Sequence, residues 1–223
     1  EPWLEAVCRE VGGWDDRLTE SAGDFPSGSG LPLALDAFAA ADLLRAASIG
    51  WLGGHVQPGE VVAGPLVDID DPGSVPGHPP DACDAEGTPI RALAVVRGGR
   101  LAALPRSRED HEAGRGPASG SVLRASWRET PRLGWRSLVL CCGEDAAWPD
   151  DAVVVTRIVL VAGQLLFAGH VRRGGTIVAR VPLCPALRPA EWLLRAGRSL
   201  GEPVPDATGF PVVTPPLLVP SPR

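Results

Sequence analysis

The sequence predicts an α+β protein that is mostly antiparallel β, built from meanders and hairpins in a sandwich- or barrel-like arrangement, with two or three helices. The strongest observation is residues 152–183, where apolar runs alternate with Gly turns, as in a meander of long hairpins. A second is Gly98-Gly99, a pair suited to the positive φ of a tight turn between two apolar runs. A third is the helical spacing of apolar residues after Asp36. Strands with few helices indicate the α+β class.

Composition limits the class of function. The 223 residues suffice for one large domain or two small ones. A net charge of -6 argues against nucleic acid as a partner, and no apolar stretch reaches the roughly 18 residues of a membrane span. The five cysteines form no C-x-x-C pair and are odd in number, which favours a reducing, cytoplasmic setting over a disulfide framework. They are Cys8, Cys83, Cys141, Cys142 and Cys184.

The first third of the chain predicts a strand and a helix behind a loose N-terminal segment. Residues 1–30 are expected to be an apron or linker, with a brief helix near Trp3. Residues 31–35 predict a short strand. Asp36 can then cap a helix over 37–47, which Gly50 and Gly53-Gly54 are expected to end.

Most of the remaining chain predicts strands. Residues 61–69 form a candidate strand that ends in an acidic turn, and 90–96 with 100–104 form the hairpin. Residues 106–117 predict a charged, mobile loop, and 119–127 and 137–142 predict strands. A helix is expected over 188–198. The tail, 212–219, is apolar but interrupted by Pro, so at best an edge strand is expected.

The residues alone reveal no evident active site. The four histidines, none paired at i, i+4 on a helix, are His55, His78, His111 and His170. No G-x-S-x-G elbow is present, although a dispersed Ser-His-Asp triad stays open. The acidic residues Asp68, Asp70 and Asp71 suggest a turn before Pro72 rather than a cation site. Asp84 and Glu86 before Gly87 likewise suggest a turn first and a site second.

Five segments nevertheless occur in an order typical of one family. They are Gly59-Glu60-Val61-Val62-Ala63, Asp70-Asp71-Pro72, Asp84-Ala85-Glu86-Gly87-Thr88-Pro89, Arg97-Gly98-Gly99-Arg100-Leu101, and the stretch from Gly116 to Arg124. With them, residues 31–220 resemble the C-terminal domain of the TldD/PmbA (TldD/TldE) metallopeptidase family. The resemblance divides the chain into an apron, 1–30, and a TldD/PmbA C-terminal-like domain, 31–223.

The zinc ligands of the family's catalytic branch are missing. In that branch a Leu-Leu pair precedes His-Glu-x-x-x-His on a helix, whereas Leu43-Leu44 here precede Arg45 and Ala46, and Gly50 stands at the second histidine. The third ligand is a late Cys in a Cys-Gly segment, whereas the region that the resemblance aligns with it, 200–205, contains no cysteine, and none follows Cys184. The chain therefore resembles the non-catalytic PmbA/TldE branch.

The resemblance implies a non-catalytic partner subunit of a TldD-like zinc metallopeptidase heterodimer. It would help to form the peptide-binding chamber for proteolysis or for peptide or natural-product maturation. Zinc is expected in the partner, and no metal, cofactor or catalytic residue in this chain. Two alternatives stay open, a stand-alone hydrolase with a replaced active site and a non-enzymatic peptide or small-molecule binding module. The substrate or interface candidates are Asp84, Glu86, Gly87, Thr88, Arg91 and Gly120.

Overall fold

Strands dominate the part of the chain that the computed structural model describes, which comprises residues 31–54, 56–75, 81–124, 126–161, 164–185, 196–206 and 211–219. Its two helices are α1 (Ala37–Leu52) and α2 (Arg108–Glu112). The strands are β1 (Leu33–Leu35), β2 (Val67–Asp71), β3 (Leu93–Arg97), β4 (Arg100–Leu101), β5 (Val122–Leu123), β6 (Arg132–Leu133), β7 (Leu138–Cys142), β8 (Ala152–Val161), β9 (Gln164–Arg173), β10 (Thr176–Pro185), β11 (Arg198–Ser199), β12 (Val204–Asp206), β13 (Val212–Thr214) and β14 (Leu217–Val219). The α+β class is confirmed.

Two six-stranded sheets form the framework. The first has the strand order β10-β9-β8-β1-β14-β11, and the second β12-β13-β7-β2-β3-β4. Most pairs are antiparallel, but β1 pairs with β8 and β13 with β7 in parallel. Both sheets are open, so the barrel-like alternative is wrong. A separate two-stranded sheet joins β5 to β6.

Helix α1 packs within one buried core that also takes side chains from both sheets. It begins where the sequence predicts, because an Asp36 oxygen accepts the Ala39 N–H at 2.8 Å. It continues past the predicted end at residue 47 and past Gly50 to Leu52, and Gly53, one of the predicted stops, caps it. Glycine inside a helix costs about 1 kcal/mol, but continuing the helix buries Trp51 edge-on against Trp135, with ring centroids 6.3 Å apart.

The tail contributes two interior strands rather than the predicted edge strand. β13 lies between β12 and β7 in the second sheet, and β14 lies between β1 and β11 in the first. Pro215 and Pro216 fall between the two strands, so both rings lie where the chain crosses from one sheet to the other. Proline lacks the N–H that a central strand must donate, and this crossing is where its absence costs least.

The predicted hairpins are confirmed. β8, β9 and β10 form the antiparallel meander, with ten residues in each strand. β3 and β4 pair across Gly98 and Gly99, whose φ values are 53° and 74°. Positive φ at both central residues is typical of the tight turn that glycine allows without steric cost.

Other boundaries differ from the prediction. The strand expected over 61–69 begins at Val67, and the one expected over 119–127 is only β5. Residues 106–117 contain α2, because Ser107 and Asp110 cap each other's backbone N–H groups. The apron 1–30, His55, His78 and most of the helix predicted over 188–198 lie outside the described residues. No helix in the described chain has the length and hydropathy needed to cross a membrane.

Candidate functional site

Helix α1 and strand β12 meet at an ion pair. The Arg45 guanidinium lies 2.8 Å from an Asp206 carboxylate oxygen and donates a second hydrogen bond of 2.9 Å to the Asp206 carbonyl. Both side chains are largely buried, with exposed fractions of 13% and 6%. The pair fixes the middle of α1 to the end of β12.

Asp42 extends this polar contact to the first sheet. One of its oxygens lies 3.4 Å from Arg45, and the other accepts the Ile158 N–H at 3.3 Å. Burial raises the pKa of Asp42, while the Ile158 hydrogen bond and the nearby arginines act in the opposite direction. The cluster of Arg45, Asp42 and Asp206 therefore ties α1 to β8 and to β12.

Zinc does not fit Arg45 and Gly50, the residues that the resemblance aligns with the family's two helix ligands. The Arg45 guanidinium has five N–H donors and no lone pair for a metal. Gly50 is exposed and has no side chain. In the described ranges, no three His, Cys, Asp or Glu side chains are grouped closely enough to hold a metal ion. Residues 200–205, where the resemblance would place a zinc cysteine, lead directly into Asp206, so the helix position and the late segment meet at an ion pair.

The Asp84 turn is organised around one buried carboxylate. Asp84 is 7% exposed, and one of its oxygens accepts the backbone N–H groups of Glu86 and Thr88, each at 2.9 Å. The other oxygen accepts the Val122 N–H at 3.0 Å. Asp84 therefore shapes its own turn and fixes it to β5.

Three further candidates lie in this turn, and one of them, Glu86, links it to α2. A Glu86 carboxylate oxygen accepts the Arg108 N–H, at the first residue of α2, at 2.9 Å. Gly87 adopts a φ of 74°. The Thr88 hydroxyl is inaccessible to solvent and has no hydrogen-bond partner in the described structure. A buried hydroxyl without a partner is costly, so Thr88 is a place where a bound group could add a hydrogen bond.

The last two candidates, Arg91 and Gly120, lie where residues 89–91 approach residues 119–120. The Arg91 backbone N–H donates to the Ser119 carbonyl at 3.2 Å, and its side chain is exposed. Gly120 has a φ of 73°, and a Cβ there would lie 2.5 Å from the Pro89 carbonyl oxygen. The Gly120 carbonyl accepts the Arg136 Nε–H at 2.7 Å. Gly120 thus permits a close backbone approach that supports the turn.

The acidic residues before Pro72 form a turn, as the sequence predicts. Asp71 is 2% exposed and accepts the N–H groups of Gly73, Arg136 and Ser137 at 2.9, 3.0 and 3.2 Å. Burial is the main cause that raises the pKa of this carboxyl group. The remaining two acids also have protein partners: Asp68 accepts the Gly98 N–H at 2.7 Å, and Asp70 pairs with Arg97.

Three of the six candidates border a cleft of about 300 Å³, which we call the arginine cleft. Asp84, Glu86 and Gly120 support its walls from outside the lining. The sequence did not predict the contribution of Arg108 and His111, because α2 was expected to be a loop. The spacing of Ser107 and Asp110 was the signal that could have identified it. The lining residues are Gly87, Thr88, Pro89, Arg91, Arg108, His111, Pro117 and Ala118.

A larger cleft, of about 450 Å³, lies beside β7 and β11. Cys141 and Cys142 border it together with Asp145 and Glu202. Burial, with Cys141 nearby, raises the pKa of Cys142 to about 11. The thiolate is the nucleophilic form of cysteine, so Cys142 stays protonated and unreactive near neutral pH.

Fold and site together define an α+β protein of two open mixed sheets in which a largely buried ion pair joins α1 to β12. The structure is similar to that of TldE from Thermococcus kodakarensis, with a TM-score of 0.67, 18% identity, and coverage of 85% of this chain and 49% of that one. It is also similar to a candidate modulator of DNA gyrase from Thermotoga maritima, with a TM-score of 0.65, 20% identity, and coverage of 85% and 48%. A third similar protein, a candidate gyrase modulator from Bacteroides thetaiotaomicron, has a TM-score of 0.60, 14% identity, and coverage of 85% and 45%.

These comparisons confirm the resemblance to the TldD/PmbA family at the level of the fold. The chain spans about half the length of the solved structures that it matches. No protein-family model matches the sequence. No curated protein matches it either.

Proposed function

We propose that this chain is the non-catalytic partner subunit of a TldD-like zinc metallopeptidase heterodimer, and that it helps to form the peptide-binding chamber. The single observation that carries the proposal is the ion pair of Arg45 with Asp206 at the position of the family's helix ligand. The fold shared with TldE supports the same branch. Residues 31–223 would correspond to a domain of about half a TldE chain.

The donor set argues against zinc chemistry in this chain. A catalytic zinc ion needs about three protein ligands and one open position for water or substrate. A permanent cation that is already paired with Asp206 repels a second cation at that point. The partner would instead supply the zinc and the activated water.

The outer edge of β10 supports a docking role for this chain. β10 is an edge strand of the first sheet, and Ile177 and Val178 near its start are 59% and 57% exposed. Edge strands usually carry charged side chains or other protection, because their unpaired backbone groups recruit other chains. An edge with two exposed β-branched residues fits coverage by a partner subunit in the assembled heterodimer.

Co-expression with a TldD-like subunit from the same genome tests the assembly. We expect the two chains to co-elute in size-exclusion chromatography at near-equal amounts, as measured by light scattering. Ile177→Glu should weaken the complex if β10 is the docking edge, and Val61→Glu offers a matched control because Val61 is 56% exposed elsewhere on the surface. Separate elution of the unmodified chains at all concentrations would contradict the proposal.

A binding module is the second candidate, and the arginine cleft is the observation that favours it. A role as a binding module requires that the isolated chain bind a ligand with no metallopeptidase subunit present. The stand-alone hydrolase has no comparable support in the described residues. Chelator-insensitive turnover by the purified chain would be its signature.

A further inference from the structure

The arginine cleft has a charge that contrasts with the rest of the chain. Its lining contains two guanidinium groups, from Arg91 and Arg108, and the imidazole of His111, with no carboxylate among the lining residues. The whole chain has a net charge of -6. A small cleft lined by basic groups in an acidic protein favours an anionic ligand.

Both guanidinium groups can bind an anion without first breaking a strong ion pair. Arg91 has no ion-pair partner in the part of the chain that the structure describes. Arg108 lies 4.0 Å from Glu112, and both of those side chains are exposed, at 61% and 71%. An exposed pair at that separation contributes little free energy, so a ligand can replace it.

The cleft walls are held in place before a ligand arrives. Glu86 joins the Asp84 turn to α2 through the Arg108 N–H, at 2.9 Å. Asp84 in turn fixes the turn to Val122 of β5, at 3.0 Å. A preorganised site loses less conformational entropy on binding, which strengthens binding of a small ligand.

The shape and polarity of the cleft narrow the ligand class. A planar, forked guanidinium matches a carboxylate in two parallel hydrogen bonds. Pro89, Pro117 and Ala118 give the lining an apolar part, which suits an aliphatic side chain beside the charged group. The volume of about 300 Å³ lies at the lower end for ligand sites, so it suits one or two residues of a peptide.

We propose that the arginine cleft binds the C-terminal carboxylate of a peptide, with Arg91 and Arg108 holding the carboxylate and the proline-lined wall taking the last side chain. The choice of a peptide rests on the proposed function, whereas recognition of the carboxylate rests on the cleft alone. Thr88 gives the wall a buried hydroxyl that lacks a partner.

A titration followed by NMR tests this with the full isolated chain. The probes are N-acetyl tripeptides ending in Ala, Val or Leu, each with a free C-terminus or a C-terminal amide, together with acetate and inorganic phosphate. We expect at least one free acid to shift resonances of Thr88, Arg91 and Arg108, and its amide to bind about tenfold more weakly or worse, because charge-assisted hydrogen bonds are lost.

Variants identify the groups responsible. Arg91→Gln and Arg108→Gln should each weaken binding of the free acid about tenfold. Arg173→Gln is the matched control, because Arg173, at the end of β9 in the first sheet, makes an exposed 3.4 Å pair with Asp151 and does not line the cleft. Thermal unfolding of each variant checks that the fold is intact.

The outcomes separate this inference from the proposed function. Equal binding of acid and amide, absence of binding by every peptide, or tighter binding of phosphate than of any peptide would each overturn the carboxylate assignment. None of these results bears on co-elution with a TldD-like subunit. Loss of co-elution with the peptide titration intact would instead remove the partner role and leave a peptide-binding module.

Discussion

At the scale of single residues, buried carboxylates decide the shape of the loops around the candidate site. Asp71 and Asp84 are nearly inaccessible, and each accepts three backbone N–H groups. The sequence identifies both as turn residues, because Asp before Pro72 or Gly87 is typical of turns. It does not predict that the second oxygen of Asp84 reaches Val122, since that contact joins residues 38 positions apart.

Replacing Asp84 should destabilise the fold strongly. Asp84→Ala leaves three backbone donors without their acceptor, and we expect the free energy of unfolding to fall by about 3 kcal/mol or more. Glu144→Ala is the control, because Glu144 and its ion-pair partner Arg198 are 55% and 57% exposed, and it should cost less than about 1 kcal/mol. Urea unfolding followed by tryptophan fluorescence measures both, and equal losses would refute a structural role for Asp84.

Gly120 should tolerate no side chain. Gly120→Ala places a Cβ 2.5 Å from the Pro89 carbonyl oxygen at a φ of 73°, so backbone must move, and we expect a loss of about 2–4 kcal/mol. Gly114 has the same φ but open space around it. Gly114→Ala should therefore cost only about 1–2 kcal/mol. Thermal unfolding of both variants separates steric clash from backbone strain, and identical costs would show that the clash is relieved.

His170 should make stability depend on pH. Burial lowers the pKa of His170 below its ordinary value of 6.5, with Arg172 and Arg180 acting in the same direction. A group whose folded pKa is depressed contributes stability above its unfolded pKa and loses it as pH falls through the folded pKa. Unfolding free energies measured between about pH 7 and 5 should therefore decline less in His170→Gln than in the unmodified chain. Parallel profiles would contradict this assignment.

At the scale of elements, helix α1 and the meander follow closely from local sequence. Asp36 predicts the start of α1, and alternating apolar runs predict β8, β9 and β10. The extension of α1 from residue 47 to Leu52 is not predicted, because Trp51 gains its burial from Trp135, far along the chain. The tail strands were not predicted as interior for the same reason. β13 pairs with β7 and β14 with β1, and local sequence does not specify distant partners.

Arg45 is the residue that attaches α1 to β12. Arg45→Met keeps most of the side-chain volume but leaves the Asp206 carboxylate, 6% exposed, without this guanidinium. Breaking a buried pair by removing one partner costs about 3–5 kcal/mol, and we expect a loss in that range by urea unfolding. Arg173→Met, at an exposed pair, should lose less than about 1 kcal/mol. A loss for Arg45→Met no larger than the control would show that the pair does not hold the helix.

At the scale of the whole molecule, the order of turn segments predicted the fold better than it predicted the site. Those segments converge: Asp84 accepts the Val122 N–H, and the Val62 N–H donates to the Gly99 carbonyl at 2.8 Å. Because these turn segments contact one another in the folded chain, their order along the sequence can indicate a single fold. The arginine cleft was only partly predicted, because Arg108 and His111 reach it through α2, whose capping box was not recognised.

Zinc content tests most directly our proposal that the TldD-like partner, and not this chain, binds the catalytic zinc. Elemental analysis by mass spectrometry would be made on the isolated chain and on its complex with a TldD-like subunit, both purified without chelators. We expect no stoichiometric zinc in the isolated chain and one zinc ion per heterodimer, which is lost when the partner's metal ligands are mutated. Stoichiometric zinc held by this chain alone would overturn the proposal that the partner binds the metal, because Arg45 and Gly50 cannot bind it.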